Sequence, residues 1–287
     1  MLSLSDIVNV KVGIGRGVFE APGTTVIGGK KPSFNLEILK LFANGEQGFW
    51  YDPNDLTTMW QDQAKLLPVT GEGQPVWHIL DKSGNNNHAF ATSSATRPIL
   101  RQNAITGAYY LEFDGSDDFL RTNNIDFTAT DKVSVFAGVR KLSDAASGIV
   151  CELSTNSFSA DGSFYLATPV TTSPPGTDGF NLRGTTAINR THITISPASV
   201  MYTASGDIGN KAIVFRTNGV TRVSGLVDVG TGKLGSYPLY IGRRGGVSLA
   251  FNGHIYGLIG IGKLVSDNET ANIEKGLAKR LGVTLNV

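Results

Sequence analysis

The 287 residues include one cysteine, Cys151, which excludes an intramolecular disulfide framework and is compatible with folding in a reducing compartment. A lone thiol in such a chain reads as a small buried apolar residue before it reads as a nucleophile. Charge is scarce as well: 17% of residues are Asp, Glu, Lys or Arg, against about 25% in typical soluble domains, and the formal net charge is +1. With no basic stripe to neutralise a run of phosphates, a nucleic-acid partner is not expected. No apolar run reaches the about 18 residues of a membrane span, so membrane insertion is not expected either. The opening MLSLSDIVNVKVGIGRGV lacks both the basic leader and the continuous apolar stretch of a secretory signal. The expectation is synthesis in a cytosol, with any outside role reached by a route other than ordinary secretion.

Catalytic signatures are equally thin. The four histidines, His78, His88, His192 and His254, are scattered, with neither an H-E-x-x-H pair nor a Cys/His zinc spacing. G-I-G-R-G at 13–17 does not complete a dinucleotide or phosphate-loop motif, and no G-x-S-x-G elbow occurs.

What the chain has is glycine, 35 residues of it, together with abundant Ser, Thr and Asn. Many permissive and small polar residues mean many turns, which favours a many-stranded sandwich or barrel over a helical architecture. Val133, Val135 and Ala137 alternate with Ser134, Phe136 and Gly138, the pattern of a strand buried on one face and partly covered on the other. Ala212–Arg216 and Val220–Val223 flank Asn218-Gly219, a strong hairpin signal. Thr168–Gly179 and Gly184–Arg190 are polar stretches that read as long exposed loops.

From Leu239 onward the spacing predicts a strand, a turn through Arg243, Arg244, Gly245 and Gly246, and a second strand with Phe251, Ile255, Leu258 and Ile259. These two read as a closing hairpin with a solvated arginine turn. A helix follows. Ser266 lies three residues before Glu269, a capping-box spacing, and Gly282 is the stop. Ile273, Leu277 and Leu281 form one apolar stripe, leaving Glu274, Lys275 and Arg280 outside. Trp50, Trp60 and Trp77 fall close together and read as a core cluster, with an aromatic binding shelf as the alternative.

The ordered series FWYDPNDLTTMWQD, GQPVWHILDKSGNNNHA, RPIL, YYLEFDGSDDFL and DKVSVFAGVRK, with the closing strands and helix, resembles bacteriophage virion and tail proteins that carry a concanavalin A-like, laminin G-type jelly roll. The resemblance covers residues 48 to 285. It implies an all-β, antiparallel two-sheet sandwich over 48–287 with a short C-terminal helix. Residues 1–47, too thin in apolar residues to form a core of their own, read as an extended N-terminal attachment arm or, alternatively, as an extra strand and a short helix (Leu36–Phe42) of the main domain. LSDIVNVKV, at the start of that arm, faintly resembles the opening of some phage tail sheath proteins.

The same resemblance implies a non-enzymatic virion structural protein: a tail fibre, baseplate appendage or capsid decoration. It would be assembled in the host bacterial cytoplasm, bound to other virion proteins through residues 1–47, homo-oligomeric with a trimer favoured, and adhesive to host-surface glycans. The alternatives are a carbohydrate-binding lectin module and, further off, a glycan-degrading enzyme.

The enzymatic alternative rests on Glu112, Asp114 and Asp117. Laminarinase-type hydrolases share this sandwich and place their carboxylates at alternate positions on one strand. Here Gly115 and Ser116 turn the chain at once, so capping of turn N–H groups is the favoured role for these side chains. Asp114, Asp117 and Asp118 are also candidate calcium ligands, although calcium takes six to eight oxygens and three carboxylates only begin such a set. No other cofactor is expected.

Overall fold

A computed structural model describes residues 33–286. In chain order the elements are helix α1 (Phe34–Leu41), strands β1 (Gly48–Tyr51), β2 (Met59–Trp60), β3 (His78–Ile79), β4 (Ala89–Phe90), β5 (Ile99–Gln102), β6 (Tyr109–Asp114), β7 (Leu120–Asp126), β8 (Lys132–Lys141), β9 (Ile149–Leu153), β10 (Ser163–Thr171), β11 (Thr177–Arg183), β12 (Ala187–Ile193), β13 (Ala198–Asp207), β14 (Ala212–Thr217), β15 (Val220–Leu226), β16 (Ser236–Ile241) and β17 (Asn252–Ile261), then helix α2 (Asp267–Leu281). Every strand pair is antiparallel. An eight-stranded sheet runs β15-β14-β13-β8-β17-β6-β5, with β1 also paired to β17; a nine-stranded sheet runs β12-β11-β10-β9-β16-β7-β4-β3-β2. The chain is a two-sheet jelly-roll sandwich.

The period-2 alternation of a strand decides which side chains enter the space between the sheets. Val133, Val135, Ala137 and Val139 of β8 meet a common core with Tyr202 and Phe215 from their own sheet and Cys151, Phe164, Leu166, Phe180 and Leu239 from the other. Cys151 is fully buried there, and burial pushes its thiol up to about 12. The intervening residue Phe136 faces the other way, into a second apolar layer with Trp50, Met201 and Ile259, covered by Ile38 and Leu41 of α1 and Ile273, Leu277 and Leu281 of α2. Helix α2 starts on the reciprocal Ser266–Glu269 capping box and ends on Gly282 in the left-handed region. The β14–β15 hairpin turns at Asn218 and Gly219, both at positive φ.

Four sequence expectations are corrected here. Strands β16 and β17 are not a hairpin: β16 pairs with β7 and β9, β17 with β1, β6 and β8, so residues 242–251 cross from one sheet to the other. Thr168–Gly179 and Gly184–Arg190 are mostly β10, β11 and β12 with short turns between. Their polar side chains find partners inside the sheet, as Asn189 does when its Oδ1 accepts from the Tyr165 hydroxyl. Glu274 is fully buried and paired with Arg216, and Arg280 makes two hydrogen bonds to Asp52, at 2.8 and 2.9 Å. The three tryptophans do not form one cluster, although the Trp77 backbone N–H donates to the Trp60 carbonyl at 2.7 Å. Trp50 lies in the helix layer, and Trp60 and Trp77 are half-buried at the nine-stranded sheet.

Of the segment expected as an arm, residues 1–32 lie outside the described residues. Ser33–Gln47 carries α1, and the Phe34 ring lies against Gly276 of α2, where any larger side chain would collide with it. No helix among the described residues is long and apolar enough to cross a membrane.

Candidate functional site

The register of the nine-stranded sheet aligns one residue from every strand. Trp60 pairs with His78, His78 with Phe90, Phe90 with Arg121, Arg121 with Tyr240, Tyr240 with Glu152, Glu152 with Tyr165, Tyr165 with Asn181 and Asn181 with Asn189. Their chain neighbours Met59, Ile79, Ala89, Leu120, Leu239, Cys151, Leu166 and Phe180 point into the core, so this row lies on the outer face. At ~4.8 Å per strand the row extends ~38 Å.

One end of the row is open. Trp60, His78, Phe90 and Arg121 are half-buried, His78 and Phe90 have ring centroids 6.2 Å apart, and the Arg121 guanidinium lies 5.9 Å from the Phe90 ring and 5.8 Å from the Tyr240 ring. Beside them is a cavity of about 460 Å³ lined by Gln63, Trp77, His78, Phe90, Thr92 and Asn123. Partial burial lowers the His78 pKa, while the ring's Nε2 sits 3.0 Å from the Gln63 carbonyl. The open end therefore combines flat apolar faces with amide and guanidinium donors.

The middle of the row is covered. Glu152 is fully buried; one of its oxygens accepts from Arg244 Nε at 2.7 Å and the other from the Ser157 backbone N–H at 2.7 Å. Arg244 is thus no solvated turn residue: the sheet-to-sheet crossing carries it over β9 and β10, where its guanidinium lies 5.1 Å from the Tyr165 ring and 4.8 Å from that of Phe158. A smaller cavity of about 260 Å³ opens there, lined by Ile149, Phe158, Tyr165, Ala167, Val170 and Leu249. Nothing in the sequence marked Glu152, Phe90 or Arg121; the available signal was the alternation of Phe90 and Arg121 with Ala89, Ala91, Leu120 and Thr122.

The carboxylates singled out from sequence lie on the opposite sheet. Glu112 and Asp114 share the outer face of β6, as expected, but Glu112 Oε2 accepts from Arg101 Nε at 2.6 Å and Asp114 Oδ1 accepts from the Ser116 and Asp117 N–H groups. Asp118 is buried and takes the Asp114 N–H at 3.0 Å. Burial, then the charges of Asp114, Asp117 and Glu112, push its carboxyl up to about 7. Carboxylate oxygens of Asp114, Asp117 and Asp118 fall within 4.8 Å of one another, so the structure does bring the calcium candidates together. The turn they form already uses oxygens of Asp114 and Asp118 as backbone acceptors. Nearby, His254 stacks on Tyr110 at 4.2 Å, and burial pulls its pKa down to about 4, leaving the ring neutral at pH 7.

No protein-family model matches the chain, and no curated protein matches it in sequence. Solved structures do match in fold. The binding domain of botulinum neurotoxin serotype D superposes with a TM-score of 0.54 at 12% identity, covering 81% of this chain and 52% of that one. The serotype D ligand-binding domain in complex with N-acetylneuraminic acid gives 0.52 at 12% identity, covering 85% and 53%. A botulinum neurotoxin type C structure, described by its dependence on two ganglioside molecules, gives 0.51 at 10% identity, covering 82% and 52%. The chain spans about half the length of the solved chains it matches, and what it shares with these binding domains is the β-sandwich.

Proposed function

We propose that this chain is a non-enzymatic carbohydrate-binding module that takes glycans on the outer face of the nine-stranded sheet. The observation that carries this reading is the open end of the register row, where Trp60, His78, Phe90 and Arg121 present aromatic faces and donors beside a cavity of about 460 Å³. Sugar rings offer apolar C–H faces and hydroxyl edges, so a shelf of rings flanked by amide and guanidinium groups is chemically suited to them. The fold likeness to binding domains solved with N-acetylneuraminic acid or described with gangliosides supports the same class.

Placement of such a module on a phage particle, as a trimer attached through residues 1–47, rests on the motif resemblance alone, to which the fold likeness adds nothing. Many copies on one particle would turn weak sugar contacts into avid ones.

The test is a glycan array probed with the full chain, multimerised on a streptavidin-type carrier, beside a Trp60→Ala/Phe90→Ala double variant. Binding by the wild type and its loss in the variant is the expected result. Background signal from the multimerised wild type, or undiminished binding by the variant, would overturn the reading.

A further inference from the structure

Lys141, at the end of β8, is fully buried between the sheets. Its ammonium lies 2.8 Å from Oδ1 of Asp178 on β11 of the opposite sheet, also fully buried, and 2.9 Å from Oδ1 of Asp144. The Asp178 carboxylate is held by two further donors: Thr168 Oγ1 at 2.5 Å on Oδ1 and the Tyr202 hydroxyl at 2.6 Å on Oδ2. Thr168 and Tyr202 are themselves buried. Asp144 Oδ1 is enclosed yet makes no properly directed hydrogen bond, while its Oδ2 accepts the Ser196 N–H at 2.7 Å.

One amine, the carboxyl it touches and a second carboxylate on the same nitrogen are the reactants and proton carrier of an amide condensation. We propose that Lys141 and Asp178 close an isopeptide bond that joins the two sheets covalently. The ammonium gives a proton to Asp178, and the freed Nζ lone pair attacks Cγ of the resulting carboxylic acid. Asp144 then takes a proton from the bound nitrogen and returns it to the departing hydroxyl. The N–C bond forms, a C–O bond breaks, one water leaves, and Asp144 ends as it began. No oxidant or cofactor takes part.

Three physical terms favour the step. Fixing both groups in one cavity replaces a bimolecular encounter with an intramolecular one. The Tyr202 hydroxyl is aimed at Oδ2, the oxygen on which negative charge develops during attack, while Thr168 holds Oδ1, which receives the lysine proton and departs as hydroxyl. Condensation also replaces the fully buried Lys141–Asp178 ion pair, whose desolvation is expensive, with a neutral amide, and the charge left over sits on Asp144, which is 11% exposed and keeps the Ser196 N–H. The lysyl chain has the rotatable bonds to close from hydrogen-bond distance to the about 1.33 Å of an amide C–N bond.

Intact-mass spectrometry of the denatured full chain tests this directly. The wild type is expected to weigh less than its sequence by one water, with a tryptic peptide pair joined through residues 141 and 178. Lys141→Arg, Asp178→Ala and Asp144→Ala are each expected at full sequence mass. Lys141→Arg keeps the charge, so a cooperative thermal transition will show that a missing cross-link is not a missing fold. A folded wild type at full sequence mass overturns the proposal, as does a water loss that persists in Lys141→Arg.

Discussion

Arg244 closes over Glu152 at 2.7 Å, although it sits on the connection between the sheets and its partner lies on the strand beneath. The pair divides the outer face of the nine-stranded sheet into an open end and a covered middle. It also makes the crossing at 242–251 part of the binding face's architecture.

Breaking that pair leaves a carboxylate with no water and no counter-charge. Arg244→Met is therefore expected to destabilise the fold by roughly 3–5 kcal/mol, read as a lower urea midpoint at unchanged slope. Replacing Glu152 as well, by Gln, should recover part of the loss. A single variant within about 0.5 kcal/mol of wild type would mean that solvent reaches Glu152.

On the open end the same kind of change should separate binding from stability. Arg121→Ala removes a guanidinium stacked between two rings and bonded only weakly, to a backbone carbonyl at 3.3 Å. Loss of glycan affinity by about tenfold, which corresponds to about 1.4 kcal/mol, is expected with a melting temperature little changed. Equal affinity for the variant would place the contacts elsewhere on the face.

Half-buried His254 on β17 and buried Asp118 in the turn after β6 give opposite pH dependences. His254 titrates at about 4 in the fold instead of 6.5, so the unfolded chain binds more protons between those values and stability is lost as pH falls through them. Asp118 titrates at about 7 instead of 3.8, so the folded chain binds more protons and stability is lost as pH rises through that window. Asp118→Asn should gain on wild type steadily from pH 4 to 7, and His254→Phe should gain on it as pH drops from 6.5 to 4. Denaturant titrations across that range decide; a pH-independent difference for either variant would contradict its assignment.

We propose that the acidic turn takes calcium only weakly if it is offered the ion, because Asp114 and Asp118 already spend carboxylate oxygens on backbone N–H groups. Three carboxylates supply part of the six to eight oxygens the ion takes, which points to dissociation constants of about 10⁻⁴–10⁻³ M or weaker. Calorimetric titration of wild type against Asp117→Asn measures this. A submicromolar constant would show that further ligands complete the set.

Local chemistry was readable in the sequence where one short segment contains the whole device. The Ser266–Glu269 box, the Asn218-Gly219 turn and the alternation of β8 all fall where spacing places them. Features made by distant partners were not readable. Glu152 and Arg244 are 92 residues apart, Lys141 and Asp178 are 37 apart, and a charged residue in a polar stretch carries no mark of the partner that lets it be buried. The binding row is hidden for a similar reason: only strand register lines up nine residues drawn from Trp60 to Tyr240.

Strand β17 sits between β8 on one side and β1 and β6 on the other, yet it comes last among the described strands. Until residue 261 is available, three strands of the eight-stranded sheet have unpaired edges facing a gap at its centre. Such edges template intermolecular pairing. Shortening the chain ahead of Asn252 should therefore yield aggregates in place of a smaller domain, and maturation of this protein should depend on protection during the interval between synthesis of β8 and arrival of β17.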